Sequence, residues 1–153
     1  MFNALELKVP PLALVFVFGA LMWFVSASPT LTIALPWRSA FACIFYTVGS
    51  AIVVAGVLTF RRMKTTVNPL TPEATTTMVT SGIYRFTRNP MYLGFFLVLI
   101  GWAIYLSNWL ALAVLPLFVW YMNRFQILPE ERALGAKFPE AFTAYKRSVR
   151  RWV

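Results

Sequence analysis

A short polar stretch between residues 81 and 94 holds the side chains with the clearest capacity for chemistry. Within it, Asn89 follows Arg88, and Tyr84 and Tyr92 lie on either side. An asparagine amide can both donate and accept hydrogen bonds, and a tyrosine ring can cover a cation with its π face. Polar groups beside a long apolar segment are costly unless something pairs with them, so a functional site is the first interpretation.

Two adjacent glutamates, Glu130 and Glu131, are the second candidate feature. A carboxylate can accept a charge-assisted hydrogen bond from an ammonium group, or a bond from a hydroxyl. A structural interpretation competes for each residue type: glutamates are favoured at a helix N-terminus, and tyrosines are common anchors at a membrane interface. An arginine, Arg88 or Arg124, could hold a carboxylate or a phosphate with its guanidinium fork.

The composition of the chain indicates a membrane protein. Of its 153 residues, 59% are hydrophobic and 12% are charged, and the mean hydropathy is +0.68. Soluble domains carry about 25% charged residues. Residues 9–37, 39–60 and 89–123 contain no charged side chain, and about 20 apolar residues suffice to cross a bilayer.

These stretches predict an all-α integral membrane protein with four transmembrane helices. The expected spans cover residues 10–27, 39–60, 91–106 and 109–125. The third stretch would be about 50 Å long as one helix, against a hydrocarbon core of about 30 Å, so we expect it to fold back as a hairpin at Ser107 and Asn108. The chain is then a single membrane domain with a cytoplasmic loop over residues 61–90. An amphipathic tail helix over residues 129–149 is expected to lie in the headgroup plane.

The net charge of +9 is explained by topology. All but one of the 14 Lys and Arg residues lie before the first span, in the 61–90 loop or in the C-terminal region from Arg124 onward. Four spans with both termini in the cytoplasm satisfy the positive-inside rule, so we expect a lipid-bilayer partner and no nucleic acid. Cleavage of the first apolar run as a signal peptide is an alternative, although that run is long for one.

The absence of two residue types narrows the chemistry. The chain has no histidine and no aspartate, which excludes a histidine base, a Ser-His-Asp triad and His-ligated zinc. We expect no metal site. The pattern also lacks the strand–helix alternation that a Gly-rich nucleotide-binding loop requires. The lone Cys43, in the second span, can form no internal disulfide.

The ordered set of motifs resembles one known family. The chain shows Ser81-Gly82-Ile83-Tyr84, then Arg88-Asn89-Pro90-Met91-Tyr92-Leu93-Gly94, a hydrophobic hairpin, Glu130-Glu131 and finally Arg151-Trp152. This order is similar to that of the isoprenylcysteine carboxyl methyltransferase family, especially its bacterial members, and of the related phospholipid methyltransferases. The likeness covers about residues 65–152.

The resemblance implies a helical membrane enzyme, in the bacterial inner (plasma) membrane, that binds S-adenosylmethionine between the loop, the last two spans and the tail. It implies methyl transfer to a lipidic or membrane-partitioned acceptor. The cofactor-binding positions that it implies are Thr76, Thr77, Met78, Val79, Tyr84, Asn89, Pro90, Tyr92, Glu130 and Glu131. We expect Arg88 and Arg124 to act in catalysis by holding the acceptor, and the oligomeric state stays open.

Departures from the family pattern leave the acceptor open. Asn89 replaces the histidine of the carboxyl methyltransferases, Phe138-Pro139 replaces Phe-Gly, and Gln126 stands where the eukaryotic enzymes have arginine. A carboxylate acceptor is already deprotonated and needs no general base. Its negative charge and the positive charge of the sulfonium cancel along the reaction path, which a pocket of low dielectric favours. A lipid amine must first lose a proton. The sequence therefore favours a carboxylate, with phospholipid or amine N-methylation as the alternative.

Other classes of protein remain as alternatives. A small multidrug-type transporter would need an ionisable residue within a span, and no acidic residue lies in any predicted span. A reductase of the sterol-reductase kind would share the C-terminal membrane topology and would use NADPH. A membrane scaffold without catalytic activity is the remaining possibility.

Overall fold

The structure of the protein is a computed structural model that describes residues 6–27, 31–63 and 78–153. Within these ranges the helices are α1 (Pro11–Val25), α2 (Arg38–Arg62), α3 (Pro90–Leu106), α4 (Trp109–Tyr121), α5 (Leu128–Lys137) and α6 (Pro139–Ser148). A 3₁₀ turn, Gly82–Arg85, precedes α3, and a π-helical segment, Met122–Ile127, joins α4 to α5. One isolated bridge between Thr32 and Asn108 is the extent of β structure in the described ranges. The prediction of an all-helical fold is confirmed.

The first helix, α1, buries one stripe of side chains and exposes the opposite face. Leu14, Phe18 and Met22 recur every four residues, so they lie on one side of the helix, and all three are buried in the main apolar core. The rings of Phe18 and Phe118 meet edge to face with centroids 5.3 Å apart, which joins α1 to α4. Phe24 faces the other way and is 75% exposed.

Helices α2 and α3 pack antiparallel along a seam of small residues, a contact that small residues in the second span predict. On α2 the buried seam positions recur every seven residues, at Ala42, Gly49 and Gly56. A methyl group built on Gly94 would lie 2.5 Å from the carbonyl oxygen of Gly49, and one built on Gly101 would lie 3.1 Å from that of Ala42. The backbones are therefore too close at Gly94 for any larger residue. This seam fixes the start of α3 against the end of α2.

The turn between α3 and α4 lies at Ser107 and Asn108, as the sequence predicts. Ser107 has a φ of +50°, a left-handed conformation that ends α3. The side-chain oxygen of Asn108 accepts the N–H of Leu110 at 2.9 Å and so caps α4. The N–H of Ile33 donates to the carbonyl oxygen of Ser107 at 2.6 Å, which joins the connection before α2 to this turn.

The helix of the fourth predicted span continues beyond residue 125, because α4 runs through the π-helical segment into α5 as one helix, Trp109–Lys137. Pro129 lacks the N–H that would bond to the carbonyl oxygen of Phe125, four residues earlier. The N–H of Leu7 takes its place and donates to that oxygen at 3.0 Å. The missing donor of a proline therefore gives the N-terminal segment its attachment point.

The tail that was predicted as one helix over residues 129–149 is divided at Phe138. A residue before proline is disfavoured in the helical region, and Phe138 has φ −131° and ψ 60°. Pro139 then begins α6, where its missing N–H costs nothing. A small apolar cluster forms at this end of the chain from Phe142, Tyr145, Val149, Met78, Leu134 and Phe138.

The described helices present an apolar surface that suits lipid. Arg38–Arg62 and Trp109–Lys137 are long and apolar enough to cross a membrane, while Pro11–Val25 and Pro90–Leu106 are shorter apolar helices. Only 17% of the most apolar stretch of α2 is buried within the protein. Soluble proteins rarely expose apolar surface on this scale, so the fold is that of a membrane protein.

Candidate active site

The loop before α3 and the end of the chain are joined at the basic end of the bundle. The N–H of Arg88 donates to the carbonyl oxygen of Arg150 at 3.0 Å. The hydroxyl of Thr87 and Nδ2 of Asn89 both donate to the carbonyl oxygen of Arg151, at 3.3 Å and 3.0 Å. These bonds bring together residues that are 62 positions apart in the chain.

Glu131 is the charged centre of this junction. Its Oε1 accepts from Nη2 of Arg88 at 2.7 Å and from Nε of Arg151 at 3.1 Å, and its Oε2 accepts from Nη2 of Arg151 at 2.7 Å. Counted from Trp109, a membrane span of about 20 residues ends before Glu131, so this carboxylate lies beyond the span. Burial acts to raise the pKa of Glu131, but the hydrogen bonds and positive charges of the two arginines outweigh it and hold that pKa below its ordinary value. Glu131 is thus ionised and holds the loop to the tail.

Glu130 has a different environment, although it is the next residue. It accepts a hydrogen bond from the hydroxyl of Tyr92. The ion pairs of the described ranges use Glu131 and Glu6, and none reaches Glu130. Glu130 retains some accessible surface, but its carboxyl is surrounded by protein atoms. Burial raises its pKa to about 8, against the lowering effect of the Tyr92 hydrogen bond and with a smaller contribution from the charge of Glu131.

The 3₁₀ turn places Tyr84 within electrostatic range of the same carboxyl. Gly82 begins the turn with a φ of +60°, which favours glycine. Tyr84 is buried, its ring lies edge-on to that of Phe60 with centroids 5.3 Å apart, and its carbonyl oxygen accepts from the hydroxyl of Tyr145 at 2.7 Å. Burial raises the pKa of Tyr84, and the charges of Tyr145 and Glu130 act in the same direction. Tyr84 and Glu130 therefore share one electrostatic environment.

Most of the predicted site residues lie at this one end of the bundle. The group comprises Tyr84, Asn89, Pro90, Tyr92, Glu130 and Glu131. Val79 is buried, and Met78 packs against the apolar cluster of the tail. Thr76 and Thr77 lie outside the described residues. The binding of a cofactor by any of these residues stays a prediction.

The two arginines that were expected to hold the acceptor are both engaged by carboxylates. Arg88 pairs with Glu131. Arg124 donates to Oε1 of Glu6 at 2.6 Å, and the other oxygen of Glu6 pairs with Arg132. A catalytic role for Arg88 or Arg124 stays a prediction, and either side chain would have to exchange its present partner for the acceptor.

Two residues of this site were not singled out from the sequence, Arg151 and Glu6. Arg151 belongs to the terminal Arg151-Trp152 pair of the motif set, so the signal for it was present. Glu6 is one of only five acidic residues in a chain of net charge +9. In so basic a chain every carboxylate has several candidate partners, and sequence alone does not choose among them.

An apolar groove runs along α3 and α4 beside this site. It has a volume of about 640 Å³, within the range of ligand pockets in general, and it is open on one side. Oδ1 of Asn123, in its wall, accepts from Nε1 of Trp152 at 3.2 Å, and the rings of Phe96 and Trp152 are 6.2 Å apart. Trp152 thus connects the groove to the junction at Arg151. The groove is lined by Phe96, Leu112, Leu115, Pro116, Val119, Trp120 and Asn123.

Comparison with known proteins gives matches across this region. Residues 37–141 match the sequence profile of the phospholipid methyltransferase family. An uncharacterized protein of Haemophilus influenzae is 41% identical over 63 residues, which are 41% of this chain and 100% of that protein. Protein-S-isoprenylcysteine O-methyltransferase A of Arabidopsis thaliana is 31% identical over 113 residues, 74% of this chain and 57% of that enzyme.

The named methyltransferases are longer than the region they share with this chain. The protein-S-isoprenylcysteine O-methyltransferase of Schizosaccharomyces pombe is 32% identical over 72 residues, which are 47% of this chain and 30% of that enzyme. The chain therefore spans from under a third to a little over half of the two named methyltransferases. No solved structure matches it.

Proposed function

This chain belongs to the phospholipid methyltransferase family, and we propose that it transfers a methyl group from S-adenosylmethionine to a lipidic or membrane-partitioned acceptor. The observation that carries the proposal is the state of Glu130. Its carboxyl is enclosed by protein atoms, is oriented by the Tyr92 hydroxyl and has no cationic partner among the described residues. A site of this kind calls for a ligand that brings a positive charge.

The donor groups of S-adenosylmethionine fit this carboxyl. The cofactor has an α-ammonium and two ribose hydroxyls, and a carboxylate binds such groups with charge-assisted hydrogen bonds. A cation beside Glu130 would favour its ionised form and lower its pKa. When bound, the cofactor supplies an electrophilic methyl group on a sulfonium. The chain's own task is then to position the reactants and exclude water.

Each neighbouring residue has a definite part in that positioning. Tyr92 fixes one oxygen of Glu130 through its hydroxyl. The Arg88–Glu131–Arg151 network holds the loop against the tail, which keeps both walls of the site in place. Asn89 is held by the carbonyl oxygen of Arg151, and its amide can reorient to a base edge or to the cofactor carboxylate.

A carboxylate oxygen is the acceptor that we propose first. The Arabidopsis relative is named as an O-methyltransferase of isoprenylcysteine, and opposite charges cancel when a carboxylate meets a sulfonium in a medium of low dielectric. The apolar groove along α3 and α4 supports a lipidic acceptor, because it could hold a hydrocarbon chain with the reactive group near Trp152.

Methylation of a lipid amine is the second candidate. An ammonium acceptor must lose a proton before it can react, and a base is therefore required. Glu131 is occupied by two arginines and Glu130 is assigned to the cofactor, so the proton would pass to water. Asn89 in place of the histidine of the carboxyl methyltransferases favours this candidate.

Methyl-labelled cofactor tests the proposal and separates the two acceptors. Purified protein is incubated with the label and a total membrane lipid and small-molecule extract, and the labelled product is treated with mild base. A carboxyl methyl ester releases volatile labelled methanol, whereas an N-methyl group stays with the lipid. Absence of any labelled product, together with absence of S-adenosylhomocysteine binding in calorimetry, would contradict the proposal.

Substitution of the glutamate gives a second test. We expect Glu130→Ala to abolish cofactor binding while the protein remains folded, since this side chain forms none of the ion pairs of the described ranges. The exposed Glu140 provides the matched control, and Glu140→Ala should bind normally. Retained affinity in Glu130→Ala would mean that the glutamate serves only the helix.

All four apolar helices are proposed to cross the bilayer, with both termini in the cytoplasm. At 15 and 17 residues, α1 and α3 are about 22 to 26 Å long, so the flanking apolar residues complete the crossing. In a Cys43→Ala background of intact bacterial cells, Thr32→Cys should react with a membrane-impermeant thiol reagent and Arg150→Cys should not. Equal labelling at both exposed positions would contradict this topology.

A further inference from the structure

Gln126 is a buried polar residue that no part of the proposed reaction uses. It has no exposed surface, and its apolar neighbours in the chain, Phe125 and Ile127, are buried with it. Its Nε2 donates to the carbonyl oxygen of Val9 at 2.8 Å. A carbonyl oxygen can only accept a hydrogen bond, so the amide atom of Gln126 that faces Val9 is the nitrogen.

The other end of the same amide has no partner. No residue in the described ranges donates to Oε1 of Gln126, although the atom is buried. Buried polar atoms are nearly always hydrogen-bonded, and each exception calls for an explanation. The bond to Val9, which holds the N-terminal segment, uses only the nitrogen of this side chain. That role does not explain why an oxygen is buried beside it.

The position of Gln126 connects this acceptor to the candidate site. It precedes Glu130 by four residues on one continuous helix, and residues four apart lie on the same helical face. Glu130 is itself an acceptor. The face therefore presents two acceptors in succession, and within the described ranges it has no cation that pairs with either.

We infer that Oε1 of Gln126 accepts a hydrogen bond from a donor group of bound S-adenosylmethionine, either its α-ammonium or a ribose hydroxyl. The inference rests on the proposed function. At Gln126 the atom left without a partner among the described residues is the oxygen, and an amide oxygen can only accept. The unpartnered oxygen therefore calls for a hydrogen-bond donor.

The test is a double-mutant cycle that combines substitution of Gln126 with removal of single groups from the ligand. S-adenosylhomocysteine and analogues without the α-amino group, the 2′-hydroxyl or the 3′-hydroxyl are titrated into full-length wild type and Gln126→Met in detergent. We expect Gln126→Met to weaken binding of the intact ligand by about tenfold. The analogue that lacks the partner group should bind wild type and Gln126→Met equally, because the interaction is already lost.

The other outcomes are equally decisive. One outcome is that each analogue loses the same factor in affinity, relative to S-adenosylhomocysteine, in wild type and in Gln126→Met. In that case the side chain does not contact the ligand and the inference is wrong. Burial keeps a glutamate at this position protonated, so Gln126→Glu retains both a donor for the carbonyl oxygen of Val9 and an acceptor for the ligand. It should reproduce the wild-type ranking of the analogues, and it serves if Gln126→Met does not fold. Failure of wild type itself to bind S-adenosylhomocysteine would instead refute the proposed function.

Discussion

Replacement of Glu130 by glutamine removes one ionisation while it preserves shape. Glutamine keeps the volume of the side chain and can still accept the hydrogen bond that the Tyr92 hydroxyl donates. It cannot carry the negative charge that we expect to meet the cofactor. The change should therefore weaken binding and, more specifically, abolish its dependence on pH.

The size of that dependence follows from the pKa of Glu130, which burial raises to about 8. If the ligand binds the ionised form, binding below this pH releases a proton, so affinity rises with pH. At about pH 6 only about 1% of the free protein is ionised at this site, and the dissociation constant should be about 100-fold weaker than its limiting value. The expected slope is about tenfold per pH unit.

Calorimetric titration of the detergent-purified protein with S-adenosylhomocysteine measures both quantities. The useful window lies between about pH 5.5 and about pH 7.5, below the range in which an α-amino group itself titrates. Two buffers with different ionisation enthalpies report the number of protons released, which should approach one in wild type and zero in Glu130→Gln. Glu140→Gln makes the same change on the exposed surface and should behave as wild type.

In the ligand-free protein, ionisation of Glu130 lowers stability as the pH rises, whereas it raises the affinity for the ligand. A folded-state pKa above the ordinary value of 4.5 means that this group contributes stability below about pH 4.5, and that the contribution is lost as the pH rises towards about 8. Ligand-free Glu130→Gln should therefore melt above wild type at about pH 8. A wild-type affinity that is flat across the pH window, or a slope that survives in Glu130→Gln, would refute the reasoning.

Two further substitutions test the contacts that position the site. Gly94→Ala should lower the melting temperature, because the added methyl would lie 2.5 Å from the carbonyl oxygen of Gly49. The matched control Gly19→Ala, whose methyl would have no neighbour nearer than 4.0 Å, should be neutral or stabilising by up to about 1 kcal/mol. A stabilised Gly94→Ala would contradict the close approach of α2 and α3. Tyr145→Phe removes the 2.7 Å bond to the carbonyl oxygen of Tyr84 and should reduce the free energy of unfolding by about 1 to 3 kcal/mol, and an unchanged denaturation midpoint would show that water replaces the hydroxyl.

The coarse architecture could be predicted because hydrocarbon imposes strong rules on sequence. Charge-free stretches identify the apolar helices, and a stretch too long for one crossing must turn at its polar residues, Ser107 and Asn108. The junction of the loop with the tail could be inferred only from the resemblance, because nothing in the pattern of residues 87–89 indicates a partner 62 residues away.

Two features of the structure depend on geometry that the sequence pattern does not encode. Adjacent glutamates look alike in sequence, yet the helix turns Glu131 towards two guanidiniums and Glu130 towards a tyrosine hydroxyl. Pro129 reveals that a carbonyl oxygen loses its helical donor, but not that Leu7 supplies the replacement. The break in the tail could be predicted from Pro139, although the apolar periodicity runs through it.

Hydrogen exchange with and without S-adenosylhomocysteine tests the central claim most directly. In the proposed enzyme, the segment from Tyr84 to Tyr92 and the segment from Asn123 to Glu131 form one binding site. Ligand should therefore slow amide exchange in both segments at the same concentration, and leave the far turn at Ser107 unchanged. Protection of one segment without the other, or of neither, would contradict the account.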